Sequence, residues 1–153
     1  MKNLEEIESI KRLKHKYMRC VDTRKWDELA TLFTDDAVTA YSGGKLSFKG
    51  KEEIITFLKN AMPPTLLSMH QGFHPEIELT GETSAKGTWG FSDYLIIIDA
   101  GLSLRGYGIY SDEYEKVNGQ WKIKSTGYQR VFEETWNRSD IPSLNLTENM
   151  FAG

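Results

Sequence analysis

The sequence lacks the features that define several common protein classes. Its 153 residues contain one cysteine, Cys20, so no internal disulfide can form and we expect a reducing, cytoplasmic environment. The longest apolar run, 94–98, is too short to cross a bilayer, and the N-terminus carries no apolar signal segment. A net charge of −3 provides no basic excess for nucleic acid. Neither a membrane nor a nucleic acid is therefore an expected partner.

Motifs of several enzyme and metal-binding classes are also missing. The chain has no glycine-rich phosphate loop, no serine nucleophile elbow and no CxxC pair. His70 and His74 are four residues apart, but Gly72 and Pro75 exclude the helix that would turn both toward one metal ion. We therefore expect neither a metal nor a cofactor.

The apolar pattern predicts one α+β domain over residues 1–153, with helices on one side of a curved antiparallel sheet. Helical periodicity gives way to alternation after Pro63-Pro64, which ends the third helix. The predicted helices span 4–21, 26–33 and 51–61. The predicted strands span 37–41, 45–48, 67–70, 75–80, 85–98, 104–117 and 120–132.

A C-terminal tail from about residue 133 has no regular periodicity but contains several apolar side chains. Such residues usually meet a partner surface, so we expect the chain to self-associate. The tail residues concerned are Trp136, Ile141, Leu144, Leu146, Met150 and Phe151.

Two polar groups lie on or beside the core-facing side of the first helix. Tyr17 falls inside the apolar arc and Asp22 at its edge. Burying an unpaired hydroxyl or carboxylate is costly, so both need partners. Lys14 also falls inside the arc. We expect its ammonium to extend to the rim of the core, and a role in polarising the site is the alternative.

Three later residues are candidate partners: His70, Asp93 and Arg130. Asp93 shares a strand face with Trp89 and Phe91, so alternation points its carboxylate into the core. Lys86 should point to the opposite side of the sheet.

The orientation of Arg130 is ambiguous. Strict alternation places it opposite Trp121 and Ile123, and it points inward only if a bulge near Gly127 reverses the alternation.

Asp22 and His70 form a candidate dyad, in which the carboxylate orients an imidazole general base. The structural alternative is that Asp22 caps a helix, His70 and Tyr17 are hydrogen-bonded core residues, and Arg130 lies on the surface. Residue types alone favour that alternative. Burial beside the aromatic residues of its strand would raise the pKa of Asp93 and suit it to donate a proton.

Several segments together resemble the SnoaL-like branch of the NTF2-like (cystatin-like) superfamily, and within it the bile acid 7α-dehydratases. The resemblance covers about residues 7–138. It rests mainly on Lys16–Asp22, Trp26–Leu29, Ser68–His70, His74–Ile77, Asp112–Lys116 and Thr126–Arg130.

The resemblance implies a cone-shaped α+β barrel with a deep pocket, and a pocket-facing Arg130. It implies cofactor-free dehydration of a 7α-hydroxy-3-oxo-Δ4 bile acid or its coenzyme A thioester, by a homotrimer. Other acid–base reactions, namely isomerisation, polyketide cyclisation and dehydrohalogenation, and a non-catalytic ligand-binding module, remain alternatives. The functional positions implied are Tyr17, Asp22, His70, Asp93 and Arg130.

Overall fold

The helices and strands follow the predicted order along the chain. The structure is a computed structural model that describes residues 2–153. The helices are α1 (Lys2–Asp22), α2 (Trp26–Ala30) and α3 (Lys51–Ala61), followed late in the chain by a 3₁₀ turn, Arg138–Asp140. The strands are β1 (Phe33–Tyr41), β2 (Leu46–Lys49), β3 (Leu66–Leu79), β4 (Ser84–Ile97), β5 (Leu102–Val117) and β6 (Gln120–Asn137).

The six strands form one curved sheet in the order β2-β1-β6-β5-β4-β3. The predicted α+β class is confirmed, but the sheet is not closed into a barrel, since β2 and β3 are free edges. All neighbouring strands are antiparallel except β1 and β6, which pair in parallel. Parallel neighbours require a long connection, and the chain from β2 to β5 supplies it.

The buried face of α1 packs its apolar residues against the concave side of the sheet. Ile10, Leu13, Met18 and Val21 are buried there, as the helical periodicity predicts. The prediction for Lys14 is wrong. Its side chain has no exposed surface, because the ammonium pairs with a carboxylate inside the core instead of reaching the rim.

Strand β4 confirms the predicted alternation. Trp89, Phe91 and Asp93 are buried, whereas Lys86 is exposed on the other side of the sheet. The inward carboxylate is thus positioned by the regular pleat of a long strand.

Strand β3 runs without a break from Leu66 to Leu79, where the sequence predicted two strands, 67–70 and 75–80. An irregularity lies at His74 (φ 50°), where the pairing with β4 shifts register between Phe73 and Glu76. A Cβ at Gly72 would lie 2.8 Å from Met18 Cε, so glycine allows α1 to approach the strand closely.

A bulge in β6 decides the direction of Arg130. Ile123 pairs with Tyr114 and Ser125 with Glu113, so Lys124 is an extra residue that reverses the alternation. Arg130 therefore points inward, as the resemblance implies, but the bulge precedes the expected position near Gly127.

Strand β6 also runs to Asn137, past the predicted start of the tail at Glu133. Its last residues pair with the first residues of β5, from Leu102 to Gly106, which extends the hairpin. Beyond it, Ile141, Leu144, Leu146 and Met150 remain exposed, and self-association stays a prediction. Within residues 2–153, no helix has the length and apolar character that crossing a membrane requires.

Candidate active site

A cavity of about 230 Å³ lies between α1, α3 and the concave face of the sheet. Larger grooves of about 420 and 660 Å³ lie on the convex face, but they are shallow and lined mainly by small and exposed side chains. The concave cavity gathers titratable groups among apolar ones, as catalytic pockets do. Its polar lining consists of Tyr17, Tyr41, His70, Asp93, Tyr110, Tyr128 and Arg130.

Asp22 and His70 form a hydrogen-bonded dyad beside the cavity. The His70 Nδ1 lies 2.6 Å from Asp22 Oδ1, and the His70 backbone N–H donates to Oδ2 at 2.7 Å. Ser68 Oγ donates to Oδ1 at 2.8 Å. The Asp22 carboxylate accepts a hydrogen bond from the Nδ1–H group of His70. The His70 tautomer that fits this contact leaves the lone pair of Nε2 free.

The helix-capping alternative for Asp22 does not fit these contacts. Asp22 is the last residue of α1, and α2 begins after Lys25 with no side-chain cap. The carboxylate is directed at β3, so its role is tied to His70.

Ser68 is a further partner of Asp22 that was not predicted from the sequence. Its hydroxyl donates to Asp22 and accepts a hydrogen bond from Arg24 Nη1 at 3.1 Å. Arg24 adopts a left-handed conformation (φ 59°) and also donates to the Val21 carbonyl, which fixes its guanidinium at the end of α1. Ser68 and His70 Nδ1 therefore share Oδ1 of Asp22, and Arg24 holds the Ser68 hydroxyl in place.

We predict that Ser68→Ala lowers kcat by about tenfold, the equivalent of one hydrogen bond to a charged group. KM should stay unchanged, because Ser68 does not line the cavity. Steady-state kinetics with a substrate that the protein converts measures both constants. Ser92→Ala, on the opposite face of the neighbouring strand, is the matched control. A change confined to KM would contradict the positioning role.

Asp93 and Arg130 form a second charged pair in the cavity. Arg130 Nη1 and Nη2 donate to Asp93 Oδ1 and Oδ2 at 2.6 and 2.9 Å, the two-pronged geometry of a guanidinium with a carboxylate. Burial lowers the pKa of Arg130, but the hydrogen bonds and charge of Asp93 outweigh burial and leave that pKa raised. Both oxygens of Asp93 are thus engaged by Arg130, which argues against the proton-donor role expected for it.

The two pairs face each other. His70 Nε2 lies 3.9 Å from Asp93 Oδ2, too far for a hydrogen bond but close enough for charge to matter. A positive charge that develops on His70 during a reaction would lie between two carboxylates, which attract it.

Phenols also line the cavity. Tyr17 and Tyr41 share a hydrogen bond of 2.8 Å, and Tyr110 packs edge-on against Tyr17. Burial raises the pKa of Tyr17, Tyr41 and Tyr110 well above that of a free phenol, so each remains a protonated donor. From the sequence only Tyr17 was predicted; the same-face spacing of Tyr110 with Asp112 and Tyr114 was the signal for a second phenol.

The structure therefore brings all five predicted positions to one place: Tyr17, His70, Asp93 and Arg130 line the cavity and Asp22 backs His70. Among residues 2–153, no group of three or more potential metal ligands is close enough to hold an ion. The arrangement provides a base, a charged pair and proton donors around an apolar space.

The sequence profile of the SnoaL-like domain matches residues 2–127. The chain belongs to the SnoaL-like family. Arg130 lies just beyond the matched residues, so family membership alone does not assign it.

Solved structures share the fold. A protein provisionally named scytalone dehydratase from Novosphingobium aromaticivorans is 25% identical over 86% of this chain and 88% of its own (TM-score 0.80). The hexachlorocyclohexane dehydrochlorinase LinA-type3 from Novosphingobium barchaimii is 21% identical over 88% and 92% (TM-score 0.79). ActVI-ORFA from Streptomyces coelicolor is 14% identical over 83% and 98% (TM-score 0.71).

Proposed function

We propose that this SnoaL-like protein is a hydro-lyase that eliminates water from a hydroxylated substrate by cofactor-free acid–base catalysis. The observation that carries the proposal is the Asp22–His70 dyad, whose free Nε2 meets a cavity lined by protonated phenols. A base and a set of oxygen-binding donors are what removal of a proton acidified by a conjugated carbonyl requires.

The substrate class we propose is a 7α-hydroxy-3-oxo-Δ4 steroid of the bile acid type. This choice rests on the resemblance of the five positions to the bile acid 7α-dehydratases. The cavity, at about 230 Å³, is smaller than the roughly 300–1,000 Å³ typical of ligand pockets. We therefore place only the reacting rings A and B inside it, with the steroid side chain extending past the exposed Leu46 at its edge.

In the proposed reaction His70 Nε2 removes the proton at C6, which the conjugated ketone acidifies. The electrons of the C–H bond move into the dienolate, and Tyr17 donates a hydrogen bond to its oxygen. The dienolate then re-forms the ketone and expels the 7α-hydroxyl, which takes a proton from the His70 imidazolium and leaves as water. Because Arg130 engages both oxygens of Asp93, we assign Asp93 to stabilising the imidazolium and not to donating the proton.

The test is incubation with a 7α-hydroxy-3-oxo-Δ4 bile acid, supplied free and as its coenzyme A thioester. The expected result is growth of the extended-dienone absorbance and loss of one water in the mass spectrum. Both forms should react, because the side chain stays outside the cavity. A product of unchanged mass would indicate an isomerase, and unchanged substrate after long incubation a binding module; either contradicts the proposal.

Tyr17→Phe is predicted to raise the activation barrier by about 2–4 kcal/mol, the contribution of one donor to a developing oxyanion. Because burial raises the pKa of Tyr17, wild-type kcat/KM should show no loss from phenol ionisation up to about pH 10. Tyr41→Phe keeps the Tyr17 hydroxyl and is the matched control. A larger loss in Tyr41→Phe would identify Tyr41 as the donor instead.

A further inference from the structure

A buried ion pair lies directly behind the phenols of the cavity, outside the machinery described so far. Lys14 on α1 and Asp112 on β5 have no exposed side-chain surface, and Lys14 Nζ lies 2.8 Å from Asp112 Oδ2. Lys14 Nζ also donates to Thr126 Oγ1 at 3.1 Å. Two of the three ammonium N–H groups are thereby used.

The ammonium lies against the faces of two cavity phenols. Lys14 Nζ is 3.5 Å from the centroid of the Tyr110 ring and 4.6 Å from that of the Tyr17 ring. Both rings line the cavity. A cation on the face of a phenol ring draws electron density from it, and the attraction is strongest where water is excluded.

A hydrogen-bond network fixes the position of this charge. Asp112 accepts from Tyr114 Oη at 2.8 Å and from Thr126 Oγ1 at 2.6 Å. Tyr114 in turn accepts from Trp89 Nε1 at 3.0 Å. The ammonium cannot reorient when charge develops in the cavity, and a fixed charge stabilises a developing charge without a reorganisation cost.

A gain in fold stability is a weak explanation for the pair. Two buried charges are often no more stabilising than apolar residues of the same volume, because desolvation offsets their attraction. Burial lowers the pKa of Lys14, and the charge of Asp112 opposes that effect. The pair thus keeps a positive charge beside the phenols at a place where it adds little to the free energy of folding.

We propose that Lys14, held by Asp112, is a positioning residue that strengthens Tyr110 and Tyr17 as hydrogen-bond donors to a substrate oxygen that becomes an enolate. Lys14 touches neither substrate nor His70 and acts through the two rings. The inference rests on the proposed function in its choice of substrate, a carbonyl compound. It adds that the site binds the charged oxygen more strongly than the neutral one.

The test uses a substituted naphthol as the probe, because its neutral and ionised forms differ in absorbance and fluorescence. Titration into the protein measures the ionised fraction of the bound naphthol and its Kd at fixed pH. Wild-type protein should bind the naphtholate in preference to the neutral naphthol. A bound probe that is no more ionised than the free probe would overturn the proposal.

The deciding variant is Lys14→Met with Asp112→Asn, which removes both charges and leaves neither unpaired. The new amide keeps an acceptor for Tyr114 and gains a donor for Thr126. Naphtholate affinity should fall about tenfold, the scale of a desolvated cation–ring contact, and affinity for the neutral form should not change. The matched control is Lys116→Met with Glu6→Gln, which removes another α1–β5 ion pair (2.6 Å) away from the cavity.

Wild-type naphtholate affinity in the Lys14→Met/Asp112→Asn protein would overturn the proposal. Should that protein not fold, Tyr110→Phe decides in its place, since it keeps the ion pair and removes one donor; unchanged affinity there is equally decisive against it. These measurements need no turnover. If the wild-type protein dehydrates no steroid but the Lys14→Met/Asp112→Asn variant binds naphtholate more weakly than wild type, the Lys14 role is supported. Only the proposed function is then contradicted.

Discussion

His70→Ala and Asp22→Asn should each lower kcat by about 10²–10⁴-fold, the range for loss of a positioned general base. His70→Ala removes the group that takes the proton. Asp22→Asn removes the charge that stabilises the imidazolium. It also sets an amide against three donors, the His70 backbone N–H, His70 Nδ1 and Ser68 Oγ, of which one oxygen cannot satisfy all.

The double variant distinguishes a dyad from two separate residues. The effects of groups that act as one unit are strongly non-additive. The kcat of the Asp22→Asn/His70→Ala protein should therefore be only slightly lower than that of the less active single variant. Substrate affinity should survive, because apolar lining supplies most of it. His74→Asn, an exposed histidine on the same strand, is the control, and asparagine tolerates its left-handed backbone.

Melting temperature measured on the same proteins checks the structural interpretation. If Asp22 served only the fold, Asp22→Asn would lower stability by about 1 kcal/mol and leave turnover intact. Wild-type turnover in His70→Ala would remove the base from the mechanism.

The part of the site that lies on regular elements was predictable from the sequence. Asp93 follows from the two-residue period of β4, and Tyr17 and Asp22 follow from the periodicity of α1. These patterns depend only on local geometry, which a run of apolar neighbours makes visible.

The part that depends on register between distant strands was not predictable. Arg130 points inward because of one extra residue, Lys124, which no composition signal marks. The pairing of Lys14 with Asp112 joins residues 98 positions apart, and nothing local tells a paired lysine from one that extends to solvent. The open orientation of Arg130 and the wrong expectation for Lys14 share a cause, because each is decided by a partner that the tertiary fold brings close.

Gly106 leaves the space in which Arg130 and Asp93 pair. It faces Asp93 across the β4–β5 pairing, and a Cβ added there would lie 2.1 Å from Arg130 Nη1 and 2.9 Å from Asp93 Oδ1. The atoms it meets belong to a flexible guanidinium and not to backbone. Gly106→Ala should therefore displace the Arg130–Asp93 pair while the strand keeps its fold.

We predict that Gly106→Ala lowers kcat/KM by about 10²-fold, the scale of a displacement of about 1 Å among catalytic groups. Its free energy of unfolding in urea should change by no more than about 1 kcal/mol. Gly108→Ala is the matched contrast, since its Cβ would lie 2.5 Å from Phe91 Cε1 and 2.6 Å from the Gln129 carbonyl oxygen. A backbone carbonyl cannot move aside as a side chain can. The free energy of unfolding of Gly108→Ala should therefore fall by about 1–3 kcal/mol.

A double variant shows whether Gly106→Ala acts through Arg130. Arg130→Met alone removes the guanidinium, so adding Gly106→Ala to it should cost little further activity if the two changes share one target. Activity losses that simply multiply would show that the alanine acts elsewhere. Wild-type kcat/KM in Gly106→Ala would mean that the position of the Asp93–Arg130 pair does not limit the reaction, and Asp93 would then lose its assigned role beside His70.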